Sequence, residues 1–332
     1  MRVTVFSSQT YDKEFFIAHI RAISADIDFD FQEAKLTDQT AILAKDADAI
    51  LVFVNDHLDR SVIDQLISFG IKHVALRCAG YNNVDVEYAK EQGMSVSRVP
   101  AYSPQAVAEH TIALMMSLNR KLHKAYNRVK ESNFDLNGLL GFTLHHKKVG
   151  VIGTGKIGQS VVNILQGFGC DILCYDIEES EQIKQTNAQY TSLESLVTQS
   201  DIITLHCPLT PETEHLINDE RIEKMKEGVM IINTSRGKLI DTKAVIKGIK
   251  SKKIGYLGLD VYEQEEDLFF KNRSSEIIDD DVFQRLLTFP NVLITGHQGF
   301  FTQEALEEIA ETSINNLLNF NKDERNESCF LC

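Results

Sequence analysis

The sequence predicts an α/β chain built as two doubly wound parallel-sheet domains. Three observations carry this. Short apolar runs alternate with helix-period segments along the whole chain, which is the pattern of β-α-β units. The alternation falls into two series that meet near Lys147. A length of 332 residues exceeds one comfortable core, so two domains are expected.

The first series places strands at 3–6, 49–54 and 74–76, with helices over 12–23 and 61–69. The second places strands at 148–152, 171–175, 202–206, 230–233, 256–260 and 292–295. Six strands with intervening helices match the size of a Rossmann domain. A long helical pattern over 104–128 lies between the series and is expected to lead from one domain into the other. A last amphipathic helix over 302–320 follows the second series and is free to return to the first, which puts both termini in one domain. The acidic, Phe-containing stretch 263–281 reads as a long loop at the mouth of a cleft.

Composition excludes several classes. Hydrophobic residues at 43% and charged residues at 25% are those of an ordinary globular chain. A net charge of −14 argues against nucleic acid, whose phosphates need clustered Lys and Arg. It does not exclude an anionic substrate, because one Arg in a cleft outweighs a diffuse surface charge. The chain starts on a strand-like alternation rather than a basic segment followed by an apolar one, and no apolar run approaches a membrane span. A cytoplasmic location is expected. Cys78, Cys170, Cys174 and Cys207 sit among apolar neighbours as buried thiols. Cys329 and Cys332 form a C-x-x-C with no second pair to complete a zinc site.

Gly153, Gly155 and Gly158 form GTGKIG between the apolar strand KKVGVI and a helical run. A lone G-x-G-x-x-G is weak, but a strand before it and a helix after it are the context that gives it meaning. Gly153 allows the tight turn, Gly155 the close approach of a pyrophosphate, and Gly158 close helix–strand packing. The helix N-terminus offers free N–H groups to the phosphates. Asp176 ends the next strand, where a carboxylate accepts from the ribose hydroxyls and repels a 2′-phosphate. NAD is therefore the expected cofactor, rather than NADP.

Three polar residues follow strands of the second series: Arg236 after MIINTS, Glu265 within DVYEQEE, and His297 after VLITG. A guanidinium grips a carboxylate with two parallel hydrogen bonds. An imidazole donates a proton to a carbonyl oxygen as hydride arrives at carbon. A carboxylate on the other ring nitrogen fixes the ring and favours imidazolium. Taken singly, each has a plainer reading as a cap, a turn histidine or part of a solvated acidic run.

Seven blocks give these residues a wider context: RCAGYNNVD (77–85), RVPAYSPQAVAEH (98–110), VIGTGKIG (151–158), LHCPLTPET (205–213), NTSRG (233–237), DVYEQEEDLFF (260–270) and GHQGFFT (296–302). In this order and spacing the chain resembles the D-isomer-specific 2-hydroxyacid dehydrogenase family over nearly its full length. The resemblance implies a flavodoxin-like substrate domain of residues 1–100 plus 298–332, a Rossmann NAD domain of residues 101–297, and an active site in the cleft between them. It implies Arg236, Glu265 and His297 as the catalytic trio. Tyr102 and the backbone around Ala79 and Gly80 would hold the substrate carboxylate, with Phe300 beside the substrate methyl. Lys156, Ile157, Cys207, Pro208, Thr213, Thr234, Ser235 and Asp260 match positions lining the NAD site, Asp260 toward the nicotinamide carboxamide. The expected reaction is reduction of pyruvate to D-lactate, with no metal, because imidazolium and Arg236 polarise the carbonyl. A homodimer or homotetramer paired through the NAD domains is expected. Two departures stand out: Gln298 where many members carry Pro or Thr, and Thr213 where Asn is frequent.

Two alternatives stay open on sequence. One is an NAD-sensing transcriptional corepressor of the same fold, which calls for a peptide groove and extra tails. The other keeps the chemistry and changes the substrate to glyoxylate, hydroxypyruvate or a bulkier 2-keto acid.

Overall fold

A computed structural model describes residues 1–322 and 324–332, the Asp267 side chain excepted. The chain divides into two compact units, Met1–Ser103 with Phe300–Cys332, and Pro104–Gly299.

The first unit is a five-stranded parallel sheet of β1 (Arg2–Val5), β2 (Asp28–Phe31), β3 (Ala49–Val52), β4 (His73–Leu76) and β5 (Ser95–Ser97), in the order β2-β1-β3-β4-β5. This is the flavodoxin-like order, which reverses direction between β1 and β3. Every residue of β3 and β4 is buried, as expected of central parallel strands covered on both faces. The edge strands β2 and β5 leave no apolar run to read: β2 alternates as DFDF and β5 is three residues long. Helices α1 (Thr10–Ile23), α2 (Arg60–Ser68) and α3 (Val86–Glu91) make the connections. Asp59 and Asp85 start α2 and α3 by accepting from Val62 N and Tyr88 N, satisfying donors that a first turn leaves orphaned.

The C-terminal helix Gln303–Asn321 packs on α1 and β4, and Thr302 caps it by accepting from Ala305 N. The tail beyond it returns to the exposed edge of β5. Ser97 pairs antiparallel with Phe330, Leu331 N donates to Val96 O at 2.8 Å, and Arg98 N donates to Cys329 O at 2.9 Å. This strip covers an edge that would otherwise present unpaired backbone groups. Cys329 and Cys332 belong to it as free thiols, Cys332 Sγ donating to Met94 O.

Under the same strip lies His73, with no exposed surface. Its ring stacks on Phe320 at 4.3 Å and Phe330 at 5.6 Å, and its Nε2 meets Ser97 Oγ at 3.2 Å. Burial pushes its pKa down to about 3.

The second unit opens with α4 (Pro104–Arg120) and α5 (Leu122–Lys130). The single helix expected over 104–128 is corrected here: Lys121 adopts φ +51°, a left-handed conformation that ends one helix and starts the next with no Gly or Pro to announce it. Seven parallel strands follow: β6 (Lys148–Ile152), β7 (Asp171–Tyr175), β8 (Gln189–Tyr190), β9 (Ile202–Leu205), β10 (Val229–Asn233), β11 (Ile254–Leu259) and β12 (Val292–Ile294). Their order is β12-β11-β10-β9-β6-β7-β8. The two-residue edge strand β8 is one more than the sequence suggested. The sheet is packed on both faces. Met115 and Leu118 of α4 pack with Val151, Val161 and Leu165 on one side, and Leu205, Ile231, Val245 and Leu257 pack together on the other. The acidic stretch 263–281 is irregular apart from the short turn Glu265–Asp267, until a helix begins at Asp281. Among the described residues no helix is long and apolar enough to cross a membrane.

The buried histidine gives the fold a pH signature. His73 titrates lower in the folded chain than in the unfolded one, so in acid the unfolded chain binds a proton that the folded chain refuses. Stability contributed by neutral His73 is complete above its unfolded pKa of about 6.5 and is lost as pH falls toward 3. Urea unfolding should show about 2 kcal/mol of stability lost from this group between about pH 7 and pH 5. His73→Phe, which keeps the ring stack, should flatten that loss; an equal loss in both proteins would remove His73 as its source.

Candidate active site

Every functional candidate in the second unit lies just beyond the carboxyl end of a strand. That is the edge where open α/β sheets bind ligands, at the point where strand order reverses, here between β6 and β9.

The glycine turn follows β6. Gly153 sits at φ +94°, and a side-chain carbon there would strike the backbone of Cys207. A carbon on Gly158 would strike Gly153 O, so helix α6 (Lys156–Gly167) packs directly on the turn. Around Gly155, the N-cap of α6, there is open space. One glycine bends, one packs, and the middle one faces a cradle free of side chains in front of a helix N-terminus, which suits a pyrophosphate. Lys156 is exposed and Ile157 half-buried at the start of that helix. Asp176, after β7, is clasped to the turn: its Oδ2 accepts from Thr154 N at 2.5 Å and from Thr154 Oγ1 at 3.0 Å. Tyr190 OH, on β8, donates to Thr154 Oγ1. The carboxylate is thus fixed at the mouth of the glycine turn.

The residues after β9 and β10 are tied together. Ser235 Oγ donates to Cys207 O, and Thr213 Oγ1 donates to Pro208 O. Thr234 Oγ1 meets Thr111 Oγ1 of α4 at 2.8 Å. Burial pushes the Cys207 thiol up to about 11, so it stays protonated. Arg236 follows with an extended backbone, and its Nη1 donates to Ser235 O at 2.7 Å. The next residue, Gly237, lies flush against the Tyr262 and Glu263 backbone, where a side-chain carbon would not fit. This contact ties the Arg236 loop to the loop bearing Glu265.

Glu265 uses both oxygens. Oε2 accepts from Tyr262 N at 2.8 Å, and Oε1 lies 2.8 Å from His297 Nδ1. A carboxylate only accepts, so Nδ1 carries the proton and Nε2 is left as the nitrogen that exchanges one. The pair is mostly buried, at 16% exposure for His297 and 21% for Glu265, which strengthens its coupling over that of a surface pair. His297 adopts φ +54°, and its ring lies 5.6 Å from that of Phe270.

Asp260, at the end of β11, is turned into the protein. Its Oδ1 accepts from Thr295 Oγ1 at 2.5 Å and Gln298 N at 2.9 Å, and its Oδ2 from Gly299 N at 2.7 Å. His110 Nε2, on α4, lies 3.2 Å from Oδ1. Burial alone would raise the Asp260 carboxyl, but the bonds from His110 and Thr295 and the charges of His110 and His297 outweigh it and hold it below the usual range. With 1% exposure and these partners, any hold on a carboxamide runs through the lone pair left on Oδ2.

In the first unit, Ala79 and Gly80 form a half-buried loop after β4, where Ala79 O accepts from Arg98 Nη1 at 2.9 Å. The Phe300 ring is buried and meets Tyr102 at 6.1 Å and Phe53 at 6.0 Å, close to edge-on with Tyr102. Of the sequence candidates, the structure joins Glu265 to His297, Asp176 to the glycine turn, and Tyr102 to Phe300. It does not bond Arg236 to either member of the His297–Glu265 pair. The sequence reading missed His110 and Arg98, although both stand within the block 98–110. His110 is 185 residues from Thr295 in the chain, so no local spacing could pair them.

A glycine turn with its clasped carboxylate and a His–Glu pair on one parallel-sheet edge define a nicotinamide-dependent dehydrogenase. Residues 112–299 match the model of the D-isomer-specific 2-hydroxyacid dehydrogenase NAD-binding domain, and the chain belongs to that family. It is 50% identical over 326 residues to D-lactate dehydrogenase of Escherichia coli (strain K12), covering 98% of each. It is 51% identical over 319 residues to a 2-hydroxyacid dehydrogenase homolog of Haemophilus influenzae, covering 96% of this chain and 95% of the relative. The apo-structure of Escherichia coli D-lactate dehydrogenase matches with a TM-score of 0.90 at 46% identity over 100% of both chains. The Aquifex aeolicus D-lactate dehydrogenase complexed with NAD and lactic acid matches with a TM-score of 0.88 at 35% identity, over 99% of this chain and 98% of that one.

The cofactor preference should rest on Asp176. Asp176→Ala is expected to weaken NADH binding and narrow the preference for NADH over NADPH, because the charge that repels a 2′-phosphate is gone. Parallel kcat/KM measurements with the two cofactors check this, and an unchanged ratio would detach Asp176 from the ribose.

Proposed function

We propose that this chain reduces pyruvate to D-lactate with NADH. The observation that carries the reading is the Glu265–His297 pair, held at 2.8 Å beyond the sheet edge. Half identity to a D-lactate dehydrogenase over nearly the full chain supports it. Bound NADH supplies the hydride that reduces C2 of the keto acid. Arg236 binds the substrate carboxylate, helped by Tyr102 OH and the N–H groups around Ala79 and Gly80. His297, protonated, gives its Nε2 proton to the carbonyl oxygen. Glu265 holds the ring by Nδ1 and stabilises imidazolium. Phe300, backed by Tyr102 and Phe53, supplies bulk beside the substrate methyl and favours a small side chain. Lys156, Ile157, Pro208, Thr213 and Ser235 line the dinucleotide. The compartment is the reducing cytoplasm, in keeping with six free cysteines.

The chain assembles with its own copies through α5 and the segment after it. Leu122, Tyr126, Val129, Phe134, Leu136 and Leu140 are all exposed there, more than the scattered apolar residues of a monomer surface. Light scattering is expected to give a dimer or tetramer; the mass of a single chain would end this assignment.

Steady-state kinetics over a keto-acid panel tests the reaction. Pyruvate should give the highest kcat/KM and the product should be the D-isomer; a larger kcat/KM for glyoxylate, hydroxypyruvate or a branched keto acid overturns the substrate. Arg236→Lys replaces a planar fork by a point charge and should lose ~2 kcal/mol of transition-state stabilisation, read from kcat/KM. A near-normal value would take Arg236 off the carboxylate.

Glu265→Gln keeps the shape and removes the charge. Reduction uses protonated His297, so its kcat/KM falls as pH rises through the imidazole titration. Without the carboxylate, imidazolium loses its partner and that falling limb moves to lower pH. D-Lactate oxidation uses neutral His297, so its rising limb moves to lower pH as well. Profiles in both directions check this, and limbs that stay in place would exclude Glu265 as the partner.

A further inference from the structure

We infer that His110 is a positioning residue for the His297–Glu265 pair, acting through Asp260 and the turn 295–299. This rests on the reading of His297 as the proton donor. His297 is a non-glycine residue in the left-handed region, at φ +54°, and such a conformation persists only where its surroundings over-determine it. For the backbone of the turn, those surroundings centre on one residue. His297 N donates to Asp260 O at 2.7 Å, Gln298 N to Asp260 Oδ1, and Gly299 N to Asp260 Oδ2. The three consecutive N–H groups of the turn therefore all end on Asp260, and Thr295 Oγ1 adds a fourth bond.

Asp260 must itself be held, and the strand that carries it fixes only its backbone. The side chain is fixed by His110 on α4. Nε2 lies 3.2 Å from Asp260 Oδ1 and 3.1 Å from Thr295 Oγ1, so one imidazole nitrogen spans the carboxylate and the first residue of the turn. An ionised carboxylate has no proton to give, so Nε2 carries it. The packing leaves no slack. A side-chain carbon built on Gly299 would lie 2.9 Å from Asp260 Oδ2 and 3.5 Å from His110 Cδ2. The neighbour Thr111 bonds Thr234, two residues before Arg236, so α4 braces the loops of both the acid and the carboxylate clamp. Among the described residues, the charged groups facing His297 are Glu265 on Nδ1 and Asp260 beneath the turn; Asp260 is the one against His110.

Removing the His110 N–H loosens the turn and lets the His297 ring swing off Glu265. His110→Leu fills the space without a donor. His110→Gln puts an amide N–H where Nε2 stood. His110→Asn keeps an amide but falls short of the carboxylate, and stands in if the Leu variant does not fold. The measurements are kcat and KM for pyruvate against pH, and an NMR titration of the His297 imidazole in histidine-labelled enzyme, assigned by His297→Asn. In His110→Leu, kcat should fall about tenfold or more with little change in KM, the scale for a misplaced catalytic group. The alkaline limb and the His297 titration midpoint should both move to lower pH, and His110→Gln should recover most of each.

A His297 titration unmoved in the Leu or Asn variant overturns the inference, even if thermal stability drops. So does a Gln variant as impaired as the Leu one, which would reduce His110 to packing. The titration is read without turnover. A wild-type enzyme that does not reduce pyruvate would sink the proposed function, while a shifted His297 midpoint would still sustain the link from His110.

Discussion

The buried carboxylate of Asp260 is the interaction on which the reactive edge depends. It lies at the end of β11 and accepts from the N–H groups of Gln298 and Gly299, while the backbone carbonyl of the same residue accepts from His297 N. A buried carboxylate is costly unless its lone pairs are filled, and here most of the donors that fill them belong to the turn that presents the His297 imidazole. Two other carboxylates buried in the first unit make an instructive contrast. Asp56 accepts from Leu36 N, Phe53 N and Ser7 Oγ, and Asp12 pairs with Arg77 at 3.4 Å, yet burial pushes both above the ordinary carboxylate range. Asp260 goes the other way because His110 donates to it and because the His110 and His297 rings add charge that favours the ionised form. Asp12 and Asp56 staple strand ends; Asp260 is kept as an anion.

The same logic recurs at the dinucleotide end of the sheet. Asp176 accepts from Thr154 N and Oγ1, so the carboxylate proposed to read the ribose also sets the shape of the glycine turn. Tyr190, on the two-residue strand β8, closes this arrangement by donating to Thr154. A minimal edge strand therefore has a reason to exist: it places one hydroxyl. In both places a strand ends, a carboxylate follows, and that carboxylate organises a turn belonging to a different strand. Parallel topology makes this possible, because it brings all the carboxyl ends to one edge.

What could be read from the sequence follows from this. The central strands β3, β4, β6, β9 and β10 were legible because burial on both faces makes them continuous apolar runs. β2, β5 and β8 were not, because an edge strand needs no such run: β2 is half polar, and the others are three and two residues long. The break at Lys121 was hidden because a lysine took a conformation usually left to glycine. The glycine turn and Asp176 beside it were legible because they fall within one β-α-β unit. Glu265 and His297 could be named singly, but their pairing spans 32 residues and rests on the fold. His110 was out of reach altogether, since its partners come from β11 and the turn after β12 while it sits in a helix that reads as ordinary core.

The backbone at His297 shows how these constraints meet. A glycine there would adopt φ +54° without strain, but a glycine has no imidazole. The turn must therefore be bent by a residue that resists bending. Phe270, whose ring lies against that of His297, is also left-handed, at φ +62°. Two strained residues thus meet ring to ring at the imidazole proposed to move the proton, and strain of this kind collects where a side chain is held for use rather than for stability. The bonds from residues 297–299 to Asp260 oppose the relaxation of the turn, and Glu265 opposes rotation of the ring. The imidazole is left with one free nitrogen and one orientation, which is the condition for delivering a proton to a fixed carbonyl oxygen.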